Sequence, residues 1–132
     1  MLKRAVSYLG ISLLYALSLL PLQVLYLLAT INYWLIYFVF KYRRAVVRTN
    51  LTNSFPEKSA AEIEQIEKRY YKYLGALVFE TIKMATISKK ELQKRFIFKN
   101  PDLINAYAER GESVLVCSAH YGNWEWGTLS VG

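Results

Sequence analysis

Residues 113–125 read SVLVCSAHYGNWE, and this stretch sets the expected fold. Ser113 to Ser118 is a short continuous apolar run, the kind of strand buried in a parallel sheet. Before it, Asn100-Pro101 pairs an N-cap with a first-turn proline, and Gly111 supplies the stop. That spacing predicts a helix over 101–109. Helix, glycine turn, buried strand and polar loop together form an α/β signature. Cys117, the only cysteine, is expected as a small buried thiol, and it excludes an intrachain disulfide. Phe96-Ile97-Phe98 reads as a second brief strand.

The only histidine, His120, follows the strand, and Glu125 stands five residues later. Ligands of open α/β sheets gather beyond the carboxyl ends of the strands. On a straight helix the two residues would lie about 140° apart, so the chain must turn between them, and Gly122-Asn123 suits a turn. A hydroxyl becomes a good nucleophile once a base takes its proton. Imidazole does this at neutral pH, and a nearby carboxylate can hold its tautomer. An acid falls at a given offset from a histidine by chance about one time in eight. On spacing alone, a surface histidine ahead of a helix that starts with Glu is the better account of the pair.

Upstream of this motif, Ser59 and Glu62 have capping-box spacing. Ile63, Ile66, Tyr70, Tyr73, Leu74, Leu77 and Ile82 follow at helical intervals, predicting a long amphipathic helix over 59–86. Ser88 and Glu91 repeat the spacing and start a shorter helix.

The N-terminal end is different in kind. No charged residue occurs between Ala5 and Phe40, whereas Lys3, Arg4, Lys41, Arg43, Arg44 and Arg48 flank that stretch. Hydrophobic residues make up 54% of the 132, and the formal net charge is +7. Cations at the ends of an apolar run suit anionic lipid headgroups, and no nucleic-acid recognition motif accompanies them. Thirty-six uncharged residues would make a helix of about 54 Å, too long for one straight crossing of a core about 30 Å thick. Pro21 is the natural break. One arrangement is a membrane helix over 5–27 followed by a second helix on the domain or in the interface. The other is a shallow hairpin with both basic ends on one side. The first is favoured, with Asn32, Tyr33, Trp34 and Tyr37 at the interface.

The motif His120-Tyr-Gly-Asn-Trp-Glu125 resembles the signature of lipid A biosynthesis acyltransferases, the lauroyl- and myristoyl-type enzymes of the lysophospholipid acyltransferase superfamily. Arg48-Thr-Asn50-Leu51, Ser54-Phe55-Pro56-Glu57, the N-terminal anchor and the apolar run before His120 extend the resemblance over essentially the whole chain.

The resemblance implies a bacterial inner-membrane enzyme facing the cytoplasm. It would move a fatty acyl group from acyl carrier protein, or coenzyme A, to a hydroxyl of a lipid A precursor. His120 matches the family's general base and Glu125 its acidic partner, while Gly122, Asn123 and Trp124 match the substrate-binding remainder of the motif. No metal and no cofactor beyond the acyl-donor co-substrate is expected. The implied organisation is a membrane anchor region over 1–44, then the N-terminal part of an α/β acyltransferase domain over 45–132, incomplete at its C-terminus. Two other readings stand beside it: a glycerolipid or aminolipid acyltransferase, and a noncatalytic membrane fragment.

Overall fold

The computed structural model describes residues 2–130, with the side chains of Leu2 and Lys3 outside that description. Among the described residues seven α-helices and one π-helical turn run in order: α1 Leu2–Leu19, α2 Leu22–Trp34, the π turn Leu35–Val39, α3 Arg44–Ser54, α4 Ala60–Lys83, α5 Lys89–Arg95, α6 Pro101–Glu109 and α7 Trp124–Ser130. The chain divides into two compact units, residues 1–86 and 87–132.

The expected α/β class is not what forms. Among the described residues there is no strand, and both 112–119 and Ile97-Phe98 lack regular structure. An apolar run becomes a strand only when neighbours take up its N–H and C=O groups. No described residue supplies such a ladder to Val114–Cys117. Leu115 is 90% exposed, and Cys117 is exposed where a buried thiol was expected.

In the first unit, Pro21 divides the apolar stretch as its chemistry demands. The continuous helix over 5–27 does not form: α1 ends at Leu19 and α2 begins at Leu22. Lys83 at the end of α4 donates to the carbonyls of Ser18 (2.8 Å) and Leu20 (3.0 Å), and the Thr86 hydroxyl also donates to Ser18. A cation there satisfies orphan carbonyls and opposes the helix dipole. Leu22–Val39 is long and apolar enough to cross a bilayer, with only 28% of it buried in protein, and Arg4–Leu19 is a shorter apolar helix.

Helix α4 holds this unit together. Its start is the expected capping box, with Ser59 and Glu62 each bonding the other's backbone N–H. Its buried face differs from the apolar count: Ile63, Glu67, Tyr71 and Gly75 turn inward, while Tyr70 and Tyr73 are exposed. The seam repeats every four residues, but two of its members are a carboxylate and a glycine. Gly75 permits close approach to α2, since a Cβ there would stand 2.9 Å from the Ala29 carbonyl oxygen.

The same packing relocates two aromatics expected at the membrane interface. Tyr33 and Tyr37 stack on each other (5.6 Å) and join Tyr71 in a buried cluster, leaving Trp34 exposed. The Tyr71 hydroxyl donates to the Tyr42 carbonyl. Beneath them Glu67, fully buried, accepts from Arg44 Nε (2.7 Å) and Arg48 Nε (2.8 Å), one on each carboxylate oxygen. The Arg44 guanidinium also lies 4.0 Å over the Tyr37 ring and donates to its hydroxyl. Its bond to Glu67 holds the Arg44 pKa above the ordinary arginine value, so the charge is permanent.

Candidate active site

The site belongs to the second unit, which is built from short helices. Ser88 caps α5 by accepting from the Glu91 N–H, while the Glu91 carboxylate pairs with Arg95 (2.9 Å), one turn on. Helix α6 spans Pro101–Glu109, as the Asn100-Pro101 and Gly111 signals require, although Asn100 makes no side-chain cap bond. Gly111, at φ +71°, ends it in the left-handed region that glycine enters without strain.

Residues 112–123 then run as an irregular segment to α7. The turn needed between His120 and Glu125 is made at Gly122, whose φ is +66°. Helix α7 starts immediately afterwards, with the Trp126 N–H bonding the Asn123 carbonyl at 3.2 Å. Only seven residues long, α7 is held by packing more than by its own bonds. Trp126 and Leu92 are buried, Arg95 lies over the Trp126 ring (5.6 Å), and Gly127 presses on the Phe96 ring. A Cβ on Gly127 would come within 2.8 Å of Phe96 Cζ.

These elements place the motif as follows. His120 is exposed at the end of the irregular segment, and Tyr121 beside it is 90% exposed. The imidazole meets Trp124 edge to face, with ring centroids 4.6 Å apart and planes at 73°. Asn123 is half-buried at the entry to α7, and Glu125 lies in that helix's first turn. The structure thus brings His120 onto Trp124, while Glu125 follows one residue further along the helix. No group of three or more His, Cys, Asp or Glu side chains stands ready for a metal ion among the described residues.

A sequence profile of bacterial lipid A biosynthesis acyltransferases matches residues 1–132, the whole chain. The chain belongs to that family. No curated protein and no solved structure matches it.

The His120 imidazole is exposed on the segment that leads into α7. Trp124 restricts the ring's orientation by covering one side of it. Sequence spacing placed His120 and Glu125 in view but passed over this contact, although Trp124 sits four residues after the histidine. It also passed over the Arg44–Glu67–Arg48 cluster, because a charged residue inside an apolar helix pattern reads as solvent-facing unless its partners are known.

Proposed function

We propose that this chain carries the base of an acyl transfer from an acyl carrier protein or coenzyme A thioester to a hydroxyl of a lipid A precursor. In this reaction the His120 imidazole removes the acceptor's hydroxyl proton as its oxygen attacks the thioester carbonyl carbon. The tetrahedral intermediate then collapses, the carbon–sulfur bond breaks, and the imidazolium returns the proton to the departing thiolate. Glu125, next to Trp124 in the first turn of α7, steadies the imidazolium. Gly122 and Asn123 shape the loop, and Trp124 offers an apolar wall beside the imidazole.

One observation supports the reading above all. The only histidine of a chain in this family stands exposed on the loop that enters α7, where a lipid hydroxyl can reach it. The apolar Leu22–Val39 segment suits a place at the cytoplasmic face of the inner membrane, because a lipid acceptor leaves a bilayer only at about 0.8 kcal/mol per methylene.

The test is acyl transfer by the native enzyme in membranes, with acyl carrier protein and coenzyme A thioesters supplied separately and the lipid product identified. His120→Ala is expected to lower kcat by about a hundredfold or more. A loss below about tenfold would remove His120 from the role of base. Transfer to a glycerolipid in place of a lipid A precursor would overturn the acceptor assignment, and no transfer by the unaltered enzyme would favour the noncatalytic reading.

A further inference from the structure

The first unit holds a charged cluster that acyl transfer does not use. Glu67 is fully buried, and one arginine would suffice to neutralise it; it receives two, Arg44 and Arg48, from successive turns of α3. Glu64 also lies within electrostatic reach of both arginines but is paired with Lys68 (2.7 Å), so three cations face two carboxylates and one positive charge is left over. Each guanidinium spends part of its donor fork on the protein: Arg44 gives Nε to Glu67 and an Nη to the Tyr37 hydroxyl, and Arg48 gives Nε and one Nη to Glu67, which leaves the other Nη of each. Both arginines reach solvent, with Arg48 half-exposed, and they line an open recess of about 160 Å³ together with Ala45 and Glu67.

We propose that this recess binds the phosphate monoester headgroup of a membrane lipid, with Arg44 and Arg48 as its ligands and Glu67 as the positioning residue that aims them. Three features support it. Guanidinium forks match the geometry of phosphate oxygens, and forks already fixed by a buried carboxylate lose little freedom on binding. A monoester phosphate carries close to two negative charges and three acceptor oxygens, which suits a paired-arginine site better than a singly charged diester. Finally, Arg44 follows the apolar Leu22–Val39 segment by five residues, where cations meet lipid headgroups. A purely structural ion pair joining α3 to α4 needs neither the second arginine nor the opening.

The experiment titrates the detergent-solubilised full chain with phosphatidic acid or phosphatidylglycerol of the same acyl chains, counting bound lipid by native mass spectrometry. The unaltered protein is expected to favour phosphatidic acid. Arg48→Gln leaves Arg44 on Glu67 and is expected to weaken phosphatidic acid about tenfold or more, with helicity by circular dichroism unchanged. Lys99→Gln, which removes the same charge in the other unit, is expected to leave binding alone. Equal affinity for the two lipids, wild-type affinity in Arg48→Gln, or an equal loss in Lys99→Gln would each overturn the proposal. Displacement of the lipid by millimolar inorganic phosphate would assign the site to free phosphate instead. Should Arg48→Gln lose helicity, Arg48→Lys, which keeps the charge but not the fork, is expected to lose the preference between the two lipids, and keeping it would overturn the proposal.

Discussion

His120 meets Trp124 edge to face, with centroids 4.6 Å apart, across the bend that leads into α7. The contact orients an exposed side chain that would otherwise sample every rotamer, and aromatic pairs of this geometry contribute about 0.5–1.5 kcal/mol. Trp124→Ala should therefore lower kcat about tenfold to a hundredfold by freeing the imidazole, whereas Trp124→Phe should keep most of the rate. Acyl-transfer kinetics of the two variants decide it. A wild-type rate in Trp124→Ala would show that the ring contact positions nothing.

Gly122 is the second requirement of the same loop. At φ +66° an L side chain sits too close to its following carbonyl, at a cost of about 1–2 kcal/mol. Open space surrounds the position, so the penalty is backbone strain without a clash. Gly122→Ala should thus reshape the approach to α7 and lower activity, while barely moving the unfolding temperature of an exposed loop. Gly122→Asn, which tolerates the left-handed region better, should recover part of the activity. Equal rates in all three proteins would sink the argument.

Much of this architecture was legible in the sequence, and the failures share a cause. Caps and breakers act through neighbours in the chain, so Ser59, Ser88, Pro21, Pro101 and Gly111 mark real element ends. Strands depend on distant partners. Val114–Cys117 had the composition of a buried strand, yet the described residues offer it no ladder. The seam of α4 failed similarly: Glu67 and Gly75 are buried because of what α3 and α2 bring to them, which no count of apolar residues records. At the site, the turn at Gly122 followed from the chain's own geometry. The ring contact of His120 required the start of α7 to be known.

Gly75 gives that tertiary dependence a measurable form. Helix propensity alone favours alanine over glycine by about 1 kcal/mol. Against this, an added Cβ would stand 2.9 Å from the Ala29 carbonyl, a backbone atom that cannot rotate aside. Overpacking of a close contact costs about 1–3 kcal/mol, so the loss should outweigh the gain. Gly75→Ala is expected to lower the denaturation midpoint of the first unit's helices in detergent. A raised midpoint would mean that α2 and α4 do not approach so closely.

The Ser59–Glu62 capping box predicts a dependence on pH whose sign is fixed. Hydrogen bonds from the Ser59 hydroxyl, and then from its backbone N–H, hold the Glu62 carboxyl below its ordinary value. A depressed folded-state pKa means that the stabilisation is complete above the unfolded value, near 4.3, and is lost as pH falls through the folded one. Glu64, lowered by its bond to Lys68, acts in the same direction two residues on. Helix α4 should therefore weaken on acidification below about pH 4, and part of that change should be absent from Glu62→Gln, whose amide does not titrate. Thermal melts followed by circular dichroism at pH 7 and pH 3 measure the difference. An identical shift in the two proteins would show that the Glu62 carboxylate contributes nothing as a charge.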